Sequence, residues 1–405
     1  MSPVICVEFY TVKDRLLHPV NIIFAVFIVS VIVGIIITYL KRKKFESSSE
    51  LGKADYDSIQ EIQKLCKNYS GEELYKMACA FLDEEGHKTD YKQWKMFMRA
   101  SAENGYIPAV REWGIYQKNT DNALAVELLS RAVKEGDGKA VEELYDLYYF
   151  GSYGGTPKIE KDKGKAAEFI KPLAENGNTV AQRLLGNYYN YEADNGKEAL
   201  EWYLKAAEGG DAEAMTEAAD IYWYKDDYEA HKRFLLKAAE QNYATAEMSL
   251  GNFYYTLDEP DFKQAMYWYK RAADHGFTTA YCDVGNMYLN GEGVPKDEYQ
   301  AVEWFKKAVE KGSLYGMYLY GKCLMDGTGV AQDKEKGIKL YVKAAVYDGY
   351  AQYALGMCYL EGNGVKKDLH KAVEYLEKAA NNAIKPEQAQ EKLDELYASG
   401  VIKKS

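Results

Sequence analysis

Histidine, cysteine and proline are scarce, at 5, 6 and 8 in a chain of 405 residues. His18, His87, His231, His275 and His370 lie far apart, with no H-E-x-x-H and no nucleophile elbow, so metal-site and catalytic chemistry have little to work with. Cys6, Cys66, Cys79, Cys282, Cys323 and Cys358 show no C-x-x-C and no regular pairing. That excludes a secreted disulfide scaffold and fits a reducing compartment. Positive charge is also in deficit: Lys+Arg 51 against Asp+Glu 62 gives a net charge of −11. A nucleic-acid partner is excluded, because neutralising phosphates needs a basic face. The proline shortage stands beside 37 tyrosines and 47% hydrophobic residues, which rules out a disordered chain. What is present is a folded, acidic, tyrosine-rich protein that needs no cofactor and has no expected small-molecule substrate.

Only one long uncharged run occurs, VNIIFAVFIVSVIVGIIITYL, the 21 residues from Val20 to Leu40. About 20 apolar residues are enough to cross a hydrocarbon core of roughly 30 Å. The run is apolar on every face and is followed at once by Lys41, Arg42, Lys43 and Lys44. The sequence therefore predicts a single transmembrane helix over 20–40, behind a short tail over 1–19. The basic cluster follows the apolar run and no small-residue cleavage pattern is present, so the helix reads as a retained anchor. Four basic residues on the C-terminal flank against Lys13 and Arg15 on the other place the N-terminus outside and the rest in the cytoplasm. The alternative orientation has the large part facing the periplasm or exterior. A basic stop-transfer segment and linker fill 41–69.

From about Ser70 to Asn382 the chain repeats itself. A terminal glycine or its stand-in recurs at Gly105, Gly136, Gly177, Gly210, Asn242, Gly276 and Gly312. A column of large apolar residues, Phe97, Leu128, Phe169, Trp202, Phe234, Trp268, Trp304, Leu340 and Tyr375, predicts a helix facing a continuous core. Three residues earlier stand Ala125, Ala166, Ala199, Ala265, Ala301, Gly337 and Ala372, a small column that Trp94 and His231 break. On the preceding helix, Leu185-Gly186, Leu250-Gly251, Val284-Gly285 and Leu355-Gly356 follow a second small column. Each unit reads as helix A, turn, helix B, turn. The loops NGEGVPKD, DGTGVAQD and EGNGVKKD supply glycine just past a helix end and aspartate to cap the next helix, so they are turn chemistry rather than phosphate sites. Ser70 and Glu73 have capping-box spacing. The array closes over 383–405 with a solitary capping helix and tail.

The pattern A-x-x-x-L-G-x-x-Y-x-x-G-x-G-V-x-x-D-x-x-x-A-x-x-W-[FY]-x-K-A-A, best matched from Ala280 to Val309, resembles the Sel-one-like repeat family, relatives of tetratricopeptide repeats. The resemblance implies an all-α, right-handed α/α solenoid of about nine helix-pair repeats over 70–382, used as a scaffold for protein–protein contact. Some secreted relatives carry two cysteines per unit and are linked to β-lactams. This chain lacks that pairing, so that activity does not carry over.

The expected function is a membrane-tethered adaptor that binds a protein or peptide on the solenoid's concave face, with no catalysis. Asn187, Asn252 and Asn286 share one helix-A column, and an amide there can both donate to and accept from a bound peptide backbone. Tyr188, Trp223, Tyr224, Phe253, Tyr255 and Met287 are the candidate aromatic contact surface, with ordinary packing between repeats as the bland reading. An acidic groove prefers a basic or extended partner. The alternative is a neutralising, immunity-type binder that grips a single effector protein.

Overall fold

The structure is a computed structural model and describes residues 51–82, 86–382 and 387–400, with side chains from residue 60 on. The tail over 1–19, the apolar run over 20–40 and the basic cluster Lys41–Lys44 lie outside the described residues. Among the described residues no helix is long and apolar enough to cross a membrane.

The described chain is all-α, with twenty helices in two compact units, one ending at Leu184 and one beginning at Leu185. The first unit holds α1 (Leu51–Asn68), α2 (Gly71–Cys79), α3 (Tyr91–Glu103), α4 (Ile107–Gln117), α5 (Asn122–Lys134), α6 (Gly138–Phe150) and α7 (Lys163–Glu175). The division falls inside α8 (Thr179–Tyr191). The second unit continues with α9 (Gly196–Glu208), α10 (Ala212–Trp223), α11 (Tyr228–Ala239), α12 (Ala244–Thr256), α13 (Phe262–Asp274) and α14 (Thr278–Asn290). It ends with α15 (Glu298–Glu310), α16 (Leu314–Asp326), α17 (Lys334–Ala344), α18 (Gly349–Glu361), α19 (Leu369–Ala380) and α20 (Glu387–Ala398). From α2 to α19 the helices alternate as A–B pairs, the solenoid architecture read from the repeat. Helix α20 packs on α19 through Leu393 and Leu396 against Leu376.

Turn chemistry fixes where each helix starts and stops. Every B helix opens on an aspartate or asparagine N-cap, from Asp90 through Asn195 to Asp368, whose side chain accepts from the backbone N–H three residues on. The Ser70–Glu73 capping box is present in both directions, at 2.8 Å and 3.3 Å. Between pairs the chain turns through a residue of positive φ, except at the joint Ala345–Asp348, and Asn242 at φ 58 does what glycine does elsewhere. The expanded loop after α6 is pinned by the buried Asn122 amide, which donates to the carbonyls of Gly154 and Pro157 at 2.9 Å each.

The expected column is buried at Phe97, Leu128, Phe234 and Trp268 and only half-buried at Phe169, Trp202, Trp304, Leu340 and Tyr375. The column shifted by one residue, Met98, Leu129, Ile170, Tyr203, Leu235, Tyr269, Phe305, Tyr341 and Leu376, is buried throughout. The glycine of the L-G pair explains the shift. A Cβ on Gly186 would lie 2.6 Å from the Tyr203 ring, one on Gly321 2.8 Å from Tyr341, and one on Gly356 2.9 Å from Leu376. On Gly251 and Gly285 it would intrude on Tyr269 and Phe305 in the same way. In these five pairs helix B's deepest side chain lies directly on helix A's backbone. Cys282, Cys323 and Cys358 are free and buried, and burial pushes each thiol up to about 11. They act as small hydrophobes, as their place in the apolar pattern implies.

Replacing Gly285 with alanine gains about 1 kcal/mol of helix propensity but forces the Phe305 ring out of place, which costs about 1–3 kcal/mol. The expected net effect is a lower urea midpoint. Gly196→Ala, where an added Cβ meets nothing within 4 Å, is expected to be neutral or stabilising by up to about 1 kcal/mol. Equal midpoints for the two variants would remove the glycine–ring contact as the organising one.

Candidate protein-binding surface

Six residues beyond the small column of each A helix lies the position of the three asparagines. In the second unit, the Tyr203 hydroxyl donates to Asn187 Oδ1 and the Tyr269 hydroxyl to Asn252 Oδ1, each at 2.8 Å. The tyrosine is the ring lying on the preceding glycine, so ring and amide form one device. Phe305 in the next pair has no hydroxyl, and Asn286 interacts instead with the hydroxyl of Tyr315 on α16. The amides thus have structural partners inside the array, through their carbonyl oxygens at Asn187 and Asn252. Asn252 remains exposed and Asn187 and Asn286 half-buried.

The same position holds Asp146 in the first unit and Asp220 in the second, with Asp283 three residues before Asn286. Burial pushes the carboxyls of Asp146 and Asp220 up, against the pull of Lys118 and His231 respectively. Asp283 has no such counterweight, and burial alone raises it to about 6. Its field in turn reaches the hydroxyls of Tyr269 and Tyr315. In the first unit, Asp146 lines a cleft of about 270 Å³ with Lys118, Phe150 and Tyr153, and Lys118 bridges to Glu143 at 2.8 Å. The A-helix face therefore carries carboxylates in both units, exposed at Asp146 and Asp220 and half-buried at Asp283.

The six candidate aromatic and thioether residues separate. Met287 is 1% exposed and Phe253 7% exposed, so both are packing residues. Tyr255 packs on Phe262 at 5.4 Å and donates to Glu292 Oε2 at 3.2 Å. Tyr188 stacks edge-on against Tyr189 at 5.8 Å. Trp223 and Tyr224 are different, at 38% and 86% exposed. They belong to a patch that also includes Tyr228, whose ring meets Trp223 at 5.0 Å and whose hydroxyl donates to Asp226 at 3.1 Å. Buried His231 supports the patch from below. Its ring lies 5.1 Å from Trp223 and 5.6 Å from Phe253, and its Nδ1 lies 2.9 Å from the Ala219 carbonyl. Exposed Leu257 lies one turn beyond Phe253, and exposed Asp226, Glu229, Asp258 and Glu259 outnumber Lys225 in the two turns. Tyr228 and the acidic rim escaped the sequence reading. The signal for them was His231, a bulky intruder in a column of alanines. Among the described residues no group of three His, Cys, Asp or Glu side chains is placed to hold a metal ion.

Seven stretches, 111–137, 146–178, 179–211, 244–277, 278–313, 314–345 and 349–383, match the family described as Sel1 repeat, together more than half of the chain. A protective antigen of uropathogenic Escherichia coli with an SLR fold superposes with a TM-score of 0.53 at 25% identity, over 89% of this chain and 78% of that one. A Sel1 repeat protein from Oxalobacter formigenes gives 0.51 at 26% identity, over 63% and 100%. In sequence, an uncharacterized protein of Neisseria meningitidis is 29% identical over 218 residues, 52% of this chain and 45% of its own length. Chitin synthase regulatory factor 3 of Schizosaccharomyces pombe is 29% identical over 234 residues, 55% and 22%. The matched region spans less than half the length of these curated relatives.

Two outcomes are expected from this geometry. Tyr269→Phe and Asn252→Ala should each destabilise by about 1 kcal/mol, and the double variant should show coupling near the same size in a mutant cycle. Additive effects would free Asn252 from its structural role. Asp283 retains its proton in the folded state up to about pH 6, against an ordinary value of 3.8. Its contribution is thus favourable below about pH 4 and is lost as pH rises through 6. Asp283→Asn should raise stability on the order of 1–2 kcal/mol at pH 7.5, with the gain vanishing at pH 3.5 in paired denaturation curves.

Proposed function

The chain belongs to the Sel1 repeat family, whose members are typically non-enzymatic scaffolds, and from that premise we propose a protein-interaction role for the exposed aromatic patch Trp223–Tyr224–Tyr228. The observation that carries this reading is an exposed tryptophan resting on a buried histidine, with two exposed tyrosines beside it, inside an acidic rim. Tryptophan and tyrosine are the side chains whose truncation most often costs an interface more than about 2 kcal/mol. The rim selects a partner segment that presents Lys or Arg beside an apolar residue, through steering and exclusion of acidic competitors. The carboxylates of the A-helix face extend the same preference along each unit.

The second part of the proposal is tethering. Val20 to Leu40 supplies an anchor and Lys41–Lys44 the cytoplasmic stop, so the solenoid works beside the inner leaflet. Anchoring confines partner and scaffold to one surface, which raises their effective concentration.

A photo-crosslinking residue at position 224, in the intact chain in its own membranes, is expected to give a discrete adduct, while the same residue at Tyr347, 76% exposed, gives none. Trp223→Ala should abolish the adduct, and Asp226→Asn with Asp258→Asn should weaken it and remove its salt dependence. Deleting residues 20–40 should release the chain from the membrane fraction. Equal adducts at the two positions would sink the patch, and a single stoichiometric adduct resistant to high salt would point to the one-effector, neutralising role instead.

A further inference from the structure

Three aromatic rings in the first unit surround a positive charge that belongs to the chain itself. Lys88 Nζ lies 3.6 Å from the centre of the Trp94 ring, 4.9 Å from Tyr91 and 5.5 Å from Tyr116. The rings are spaced at 6.3 Å (Tyr91–Trp94), 6.0 Å (Tyr91–Tyr116) and 5.8 Å (Trp94–Tyr116). Trp113 stacks on Tyr116 at 4.9 Å and fixes that wall. Trp94 is 4% exposed and part of the core, whereas Tyr91 is 50% exposed, so the group has a rigid floor and an accessible rim.

Two features mark this as a cation site rather than incidental packing. Among the described residues Lys88 has no carboxylate within ion-pair distance: Glu112 acts on it only through space, and the rings are its nearest described partners. A second cation, Lys95 Nζ, lies 5.5 Å from the Tyr116 ring. Trp94 also stands where all but one of the other B helices have alanine or glycine, so the floor exists in this repeat and not in its neighbours. The face of an aromatic ring is electron-rich and attracts an ammonium group, most strongly where water is partly excluded.

We propose that Tyr91, Trp94 and Tyr116 form an ammonium-binding cage, occupied in this structure by Lys88, whose external ligand is a lysine side chain of a protein partner in its methylated form. A methylated ammonium is less strongly hydrated than the primary ammonium of Lys88 and gives up less on entering the rings, so it displaces the resident. The site lies in a different unit from the Trp223 patch and reads a different chemical group.

The test uses the intact chain, the variant Lys88→Ala and tetramethylammonium chloride as probe, with neopentyl alcohol as the neutral probe of similar shape. The indole N–H resonance of Trp94 is followed by NMR. The variant is expected to show a saturable shift at a probe concentration at least about tenfold lower than the wild type needs, with no comparable shift from the alcohol. Equal responses of variant and wild type, or of the two probes, would overturn the proposal. Should Lys88→Ala fail to fold, the wild type carries the test. The Lys88 Cε protons, shifted upfield by the rings, move toward the free-lysine position as tetramethylammonium saturates, and a resonance that stays in place overturns the cage.

Discussion

Wherever an L-G pair occurs on an A helix, the missing side chain leaves room for the partner helix's deepest residue to rest on bare backbone. Tyr203 on Gly186, Tyr269 on Gly251, Phe305 on Gly285, Tyr341 on Gly321 and Leu376 on Gly356 are the same contact made five times. Much else follows from it. It sets how closely the helices of a pair approach, so the positions flanking it must be small. It places a phenol oxygen beside Asn187 and Asn252, which turns a surface amide into an anchor for the ring. It also decides which of two adjacent apolar residues on helix B faces inward.

That last choice marks the limit of what the sequence says. Most B helices have adjacent large apolar residues, such as Phe97 and Met98 or Trp304 and Phe305. An amphipathic arc is wide enough to admit both, and periodicity cannot rank them. At Trp304 and Phe305 the ranking comes from Gly285 on another helix, whereas Phe97 and Met98 are both buried. Signals confined to one element were fully legible: the Ser70 capping box, the aspartate before each B helix in the G-x-G-V loops, and Asn242 standing in for glycine. Signals that needed two elements were not, and this applies most to the candidate site. Phe253 and Met287 stand seven residues past the small column of their A helices and are buried, whereas Trp223 and Tyr224, nine and ten past theirs, are exposed.

The clearest pointers were departures from the pattern. His231 and Trp94 occupy a column that elsewhere holds alanine or glycine. Each sits beneath an aromatic group at the surface, Trp223–Tyr228 in one unit and Tyr91–Tyr116 in the other. The stretch 212–243, which contains His231, and the residues before 111, which contain Trp94, also fall outside the stretches that match the Sel1 repeat family. Where a repeat keeps its consensus it spends its residues on stacking, and where it departs its residues become available for chemistry.

The described helices touch mainly their neighbours along the chain, and this has an evolutionary consequence. In a globular core a tryptophan in place of alanine displaces packing throughout the domain. In a stack of pairs the disturbance is confined to one joint, and the pairs beyond it keep their geometry. Novelty can therefore accumulate one repeat at a time, with the unaltered repeats as a constant background. A lineage of such chains can exchange recognition surfaces without re-solving its fold.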